Sequence, residues 1–249
     1  MLHFLAQIYT LGIYQPILNL LVVLYNIIPG HDVGLVIILV TIVIRLILAP
    51  VMHKSLKGQR AMSAIQPKIS ALKDKHKDDQ AELAKATMAL YKEHNISPFS
   101  SCLPLLIQLP ILIALYQVFR QALHGNLKGL YHFVHNPGML NPKLFGLIDL
   151  SHPNIIFAIL AGLVQFWQSW MISKWQTGTK DSTTKAMNAQ MLYVLPLVSI
   201  FIAWRLPAGL PLYWIVTTLF AVLQQIYINK THPPIGADSD TIVGTAVVK

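Results

Sequence analysis

The chain has 249 residues, of which 54% are hydrophobic and 12% charged, with a formal net charge of +9. Soluble domains carry about 25% charged residues, so composition excludes one and indicates an integral membrane protein. The basic balance, which in a soluble chain would suggest nucleic acid, fits the basic cytoplasmic loops of such a protein. The single cysteine, Cys102, excludes an internal disulfide and a cysteine-rich metal site.

Residues 1–44 contain no Lys or Arg, so they lack the basic n-region of a secretory signal. Residues 4–28 are apolar but interrupted. Pro16 can begin a helix at its first position. Gln15, Asn19 and Asn26 recur at spacings of four and seven, a polar stripe on an apolar helix. The stripe predicts a helix lying in the interface with its apolar face in lipid, and the lack of basic residues places it on the outer side. A sixth span is the competing assignment. The turn Pro29-Gly30-His31-Asp32 then leads to the first span, Val33–Met52 (VGLVIILVTIVIRLILAPVM).

That span is long enough to cross ~30 Å of hydrocarbon, yet it contains Arg45, ~18 Å along the helix from Val33. No acid lies in the run to neutralise it, and an arginine at that depth costs at least ~2.5–3.5 kcal/mol. Thr41 lies one turn earlier on the same face. An ionisable residue inside a span marks a functional site by default. The plain alternative is a side chain snorkelling to the phosphates.

From Lys54 to His94 the chain turns hydrophilic, with nine basic residues against five acids. Apolar residues recur at helical spacing (Ile65, Ile69, Leu72, then Leu83, Leu90, Tyr91), with a break at His76–Asp79. This predicts an antiparallel helical hairpin outside the membrane, on the cytoplasmic side by its charge. Most of that charge is a solvated face; the remainder offers a docking surface for lipid headgroups, ribosomal RNA or a partner protein. The second span is 98–119, interrupted by Pro104 and Pro110 with Gln108 between them. An extracytoplasmic connection, 120–152, follows, and its His132 and His135 lack the acids or cysteines that would complete a metal site. The third span, 154–175, carries Gln165 and Gln168 on one face. A cytoplasmic loop at Gln176–Lys185, a fourth span at about 188–204, a tight outer turn at 205–211 and a fifth span at about 211–228 complete the path. Arg205 in that outer turn runs against the charge rule. The fifth span holds Tyr213, Thr217 and Gln224 on one face. The predicted fold is all-α and polytopic: five transmembrane helices, a cytoplasmic helical hairpin and an N-terminal interfacial helix. The segments are 1–31 (interfacial helix), 32–53 (span one), 54–96 (hairpin), 97–232 (spans two to five) and 233–249 (flexible cytoplasmic tail). The N-terminus is outside and the C-terminus cytoplasmic.

No motif of hydrolysis, redox chemistry or nucleotide binding is present, so no catalytic residue, cofactor or metal is expected. The spans contain no Asp or Glu, unlike those of cation-coupled transporters. They offer instead Arg45, Thr41, Gln108, Gln165, Gln168, Tyr213, Thr217 and Gln224. Any one Gln or Thr among these is explained by helix–helix hydrogen bonding. As a set around an unpaired arginine they predict a shared hydrophilic recess.

The runs GLVIILVTIVIRLILAPV, IQPKISALKDKHKDD, NISPFSSCLPLLIQLPILIALY and LPAGLPLYWIVTTLFAVLQQ, in that order around five spans and a hairpin, resemble the YidC family of membrane protein insertases. The likeness is to the short form, without a large extracytoplasmic domain, and it covers residues 17–231. The tail after Lys230 lacks the polybasic extension of some members. The resemblance implies an insertase and chaperone of the bacterial inner membrane, not an enzyme, with a groove open to cytoplasm and lipid. It further implies that Arg45 is the groove's central charge and that Thr41, Gln165, Tyr213 and Trp214 line it or touch substrate. Nascent membrane proteins, the ribosome, the Sec translocon, targeting factors and membrane lipids are the implied partners. Two other readings remain: a small-solute or anion transporter that uses Arg45 as its binding charge, and a scaffold acting through the hairpin.

Overall fold

Apolar runs in a bilayer have no water to satisfy their backbone groups, so they close those bonds internally as helices. The computed structural model describes residues 2–77, 79–97, 103–123, 125–175, 186 and 188–231. Cys102, the start of the second span at 98–102, the loop at 176–185 and the tail from 232 onward lie outside the described residues. The fold is all-α and polytopic; among the described residues five helices, Ala6–Ile27, Val33–Lys75, Leu103–Ala122, Ile155–Ser173 and Gly209–Thr231, are long and apolar enough to cross a membrane.

The N-terminal helix comprises α1 (Leu2–Tyr9), a π turn (Thr10–Tyr14) and α2 (Gln15–Ile27). Pro16 has no N–H to continue the α pattern. Just ahead of it the helix widens by one residue, and the Gln15 N–H bonds to the Thr10 carbonyl. The same device recurs at Gln190–Val194, ahead of Pro196, where the Leu195 N–H reaches the Gln190 carbonyl.

Two of the three residues of the polar stripe on α2, Asn19 and Asn26, bond to the protein backbone. Asn19 is buried, donates to the Gly129 carbonyl at 3.1 Å and accepts from the Tyr131 N–H at 2.7 Å. Asn26 donates to the His135 carbonyl at 2.8 Å. An irregular connection carries backbone groups that need partners, and the stripe supplies them. Helix α2 thus follows the connection along its length. Ala6–Ile27, at 22 residues, also meets the length needed to span.

Helix α3 (Val33–Lys75) is one continuous 43-residue helix that contains Pro50 and Pro67, so span one and the first arm of the hairpin are a single ~65 Å rod. Asp32 caps it by accepting from Leu35 N–H at 2.9 Å. Helix α3 ends at Lys75 and α4 (Gln80–Glu93) begins at Gln80. Asp79 caps α4 through the Glu82 N–H at 2.9 Å, and no residue of α4 is buried. Helix α5 (Leu103–Leu123) returns across the membrane.

The connection includes a short antiparallel hairpin, β1 (Lys143–Leu144) with β2 (Ile148–Asp149). The Phe145 N–H donates to Asp32, which ties the hairpin to the end of α3. Leu144 packs on Gly34 so closely that a Cβ there would lie 2.2 Å from Leu144 Cδ1 and 2.7 Å from its Cβ. Asp149 accepts from the Ser151 hydroxyl and backbone N–H, and these bonds hold its carboxyl below the usual carboxylate range.

Asn154 caps α6 (Ile155–Ser173) through the Ile156 N–H. The second π turn leads into α7 (Leu195–Arg205), and α8 (Gly209–Thr231) ends the described chain. The residues from 188 to 205 are helical throughout, ~27 Å long, slightly less than the ~30 Å hydrocarbon core. Helices α6 and α7 meet through small residues, with Ala158, Ala161 and Ala203 fully buried. At Gly162 a Cβ would fall 2.2 Å from Ile200 Cγ1. Close backbone approach through small residues is how helices associate where lipid removes the hydrophobic drive. Helix α8 packs on both α3 and α6, while α5 packs on α2, α3 and α8. The apolar core joins α2, α3, α5, the connection and the first turns of α8.

Candidate functional site

The site starts from Arg45 on α3, which is 8% exposed. The nearest acids along the same helix axis are Asp32 and Asp74, ~20 Å and ~44 Å away, and the spans contain none. The charge is held by neutral groups. Nη2 donates to Gln108 Oε1 of α5 at 2.7 Å, and Nε donates to Thr217 Oγ1 of α8 at 3.3 Å. Gln108 in turn donates from Nε2 to the Tyr213 hydroxyl at 2.6 Å. Tyr213 and Thr217 are one turn apart and buried, so one face of α8 supplies both. Four side chains from three helices form a connected set with a cation at its centre. Gln108 occupies both ends of its amide in this set.

Trp214 follows Tyr213 in sequence and therefore points to another face of α8. Its indole N–H donates to Gln165 Oε1 of α6 at 3.4 Å. The structure thus divides the predicted polar residues: the Arg45 set lies on the α5 side of α8, and the Trp214–Gln165 pair lies on the α6 side. Gln168 is half-buried one turn beyond Gln165. Thr41 is fully buried and donates to its own helix at the Ile37 carbonyl, 2.6 Å away. Its hydroxyl proton is thereby turned into α3, not toward Arg45, which corrects the expected polar stripe at that position. A threonine hydroxyl commonly bonds its own helix in this way.

Two polar groups escaped the sequence reading. Gln225 is completely buried, and neither end of its amide has a hydrogen-bond partner. It stands next to Gln224, eight residues after Thr217. Arg60, beyond the span on α3, donates to the Ile228 carbonyl at 3.4 Å and lies 5.7 Å from the Trp175 ring. Its Nη2 is buried without a partner. Trp175 itself donates to Asn229 at 2.9 Å. These contacts fasten the base of the hairpin to the ends of α6 and α8. Among the described residues no group of three or more His, Cys, Asp or Glu could hold a metal ion.

A single chemical property follows. The site presents a fixed positive charge among hydrogen-bond donors and acceptors within apolar helices, and none of its residues is a nucleophile poised beside a base. That arrangement suits recognition of negative charge or polar backbone.

Comparison with known proteins gives consistent matches. The family model described as 60Kd inner membrane protein matches residues 23–234. The membrane protein insertase YidC of Clostridium tetani is 36% identical over 212 residues, 85% of this chain and 88% of the relative. The protein of the same name from Fusobacterium nucleatum is 36% identical over 197 residues, 79% of this chain and 86% of the relative. That from Pelobacter propionicus is 34% identical over 226 residues, 88% of this chain but 38% of the longer relative.

Proposed function

The chain belongs to the 60Kd inner membrane protein family, and from that membership we propose that it inserts newly made proteins into the membrane and assists their folding. It is a multi-pass protein of the inner membrane. The observation that carries the reading is the unpaired Arg45, held buried by Gln108 and Thr217 with no acid in any span. A protein retains such a charge in hydrocarbon at a cost of ~2.5–3.5 kcal/mol. Use by a client explains that cost.

In this reading the space between α5 and α6, floored by α3 and α8, is a hydrophilic groove. Arg45, Gln108, Tyr213 and Thr217 form one wall, and Trp214, Gln165 and Gln168 form the other. A polar tail crossing ~30 Å of hydrocarbon meets a shorter apolar path where the groove admits water. Arg45 draws an acidic tail in, and the low-dielectric walls strengthen that field. The client's apolar segment then partitions into lipid at ~0.8 kcal/mol per buried CH₂. The membrane potential assists outward movement of each negative charge by ~2.3 kcal/mol per 100 mV. No covalent step or nucleotide is needed.

The charge distribution sets the orientation. Nine basic residues at 54–94 place the hairpin in the cytoplasm, which puts the N-terminal helix and the connection outside and the C-terminus inside. Helix α4, none of whose residues is buried, is the surface that receives a nascent chain, from the ribosome or targeting factors or beside the Sec translocon.

Proteoliposome insertion tests the proposal. A single-span client with a short acidic tail is added, and protection of the tail from protease is scored for wild type and Arg45→Ala. Protection by wild type with a clear loss in Arg45→Ala is expected. Equal protection by both removes Arg45 from the mechanism. Protection by neither, with anion flux through wild type alone, favours a transporter.

A further inference from the structure

At the end of α5 remote from the hairpin, the π turn and the start of the connection border an open polar recess of about 470 Å³. Thr10, Tyr14, Gln121, Asn126, Arg120 and Lys128 line it. The Tyr14 hydroxyl donates to Gln121 Oε1 at 2.7 Å, which fixes the recess floor across the two elements. Two of its lining side chains are cations and none is an acid. Residues 2–32 and 120–152 contain two acids, Asp32 and Asp149; Asp32 is engaged by the Leu35 and Phe145 N–H groups and Asp149 by Ser151 and His152.

Two further features select the ligand. Leu109, Ile113 and Tyr116 precede Arg120 on α5 at helical spacing, so they form one column that ends at the recess. All three are exposed, at 46%, 49% and 37%. A ligand with a phosphate at one end and an acyl chain at the other fits this surface, with its head between Arg120 and Lys128 and its chain along the column. The π turn supplies the second wall through Thr10 and Tyr14.

We infer that this recess is a binding site for one anionic phospholipid, its phosphate held by Arg120 and Lys128 and its acyl chain laid along Leu109, Ile113 and Tyr116. Only the leaflet, the outer one, rests on the orientation proposed above. The site accounts for two basic residues that stand on the side of the membrane where the charge rule expects few.

The test uses the purified full chain in detergent, titrated with short-chain phosphatidylglycerol, with diacylglycerol of the same chain length, and with inorganic phosphate. Wild type is expected to bind one phosphatidylglycerol that millimolar inorganic phosphate does not displace. Arg120→Gln/Lys128→Gln is expected to bind it about 25-fold more weakly, ~5-fold per lost charge. Lys143→Gln, on the same connection but outside the recess, is expected to bind as wild type does. If the double variant does not fold, Lys128→Gln alone, altering an exposed side chain, carries the test with a ~5-fold loss. Equal binding by the charge variants and wild type overturns the inference. Displacement by inorganic phosphate at the lipid's own concentration also overturns it, because the site is then one for free anions. Equal binding of diacylglycerol overturns the role of the phosphate.

Discussion

Replacing Arg45 with methionine separates stability from function. Methionine keeps an unbranched side chain but removes the charge. The variant loses two hydrogen bonds, to Gln108 at 2.7 Å and to Thr217 at 3.3 Å. Side-chain hydrogen bonds between membrane helices average ~0.6 kcal/mol each, so the loss is ~1–2 kcal/mol. Against this, a buried cation costing ~2.5–3.5 kcal/mol is removed. Arg45→Met is therefore expected to be as stable as wild type or more stable, by up to ~2 kcal/mol, in reversible unfolding from detergent. Its function is expected to move the other way. A client carboxylate ~6 Å from the guanidinium gains ~2.8 kcal/mol at an effective dielectric constant near 20, about 100-fold in occupancy. Insertion of an acidic-tailed client should fall ~10- to 100-fold, and that of a neutral-tailed client much less. Arg45→Lys keeps the charge and should retain most acidic-tail insertion. An Arg45→Met protein that unfolds more easily than wild type while inserting acidic tails at the wild-type rate refutes the reasoning on both counts.

Three further outcomes can be checked. Gln108→Leu leaves the buried Tyr213 hydroxyl and the Arg45 Nη2 without their shared partner, so unfolding measurements should show a loss of ~1–3 kcal/mol; Gln108→Glu, which pairs Arg45 with a carboxylate, should fold well but reject acidic clients. Gly34→Ala drives a methyl group into Leu144 at 2.2–2.9 Å and should cost ~1–3 kcal/mol as an overpacked contact; a Gly34→Ala protein of wild-type stability would mean the hairpin sits elsewhere. At Asp149 the folded carboxyl titrates below its unfolded value, so its contribution to stability is present above ~3.9 and lost as pH falls through the lower folded value; Ser151→Ala removes the hydroxyl donor and should move the Asp149 midpoint upward in an NMR titration, whereas an unchanged midpoint means the backbone N–H alone sets it.

What the sequence determined by itself was local. Apolar runs of about 20 residues fix where spans can be, and helical periodicity with a break at His76–Asp79 fixed the hairpin, whose second arm begins at the capping Asp79. The absence of any carboxylate in the spans already made Arg45 an unpaired charge, and the four motif runs carried the family. What the tertiary structure decided was which residues meet. Gln108 and Thr217 stand 63 and 172 positions from Arg45, and the rotation of α5 and α8 against α3 selects them from several equally polar candidates. The same rotations turn Trp214 toward Gln165 and bury Gln225. The stripe on α2 shows the limit most clearly. Spacing alone revealed that Gln15, Asn19 and Asn26 share a face, and the natural solvent for a polar face at a membrane surface is water. Instead the backbone of the connection, more than 100 residues away, takes up Asn19 and Asn26. Periodicity records that a face is polar. Only the packed structure records what satisfies it, because a protein backbone and water offer the same hydrogen bonds.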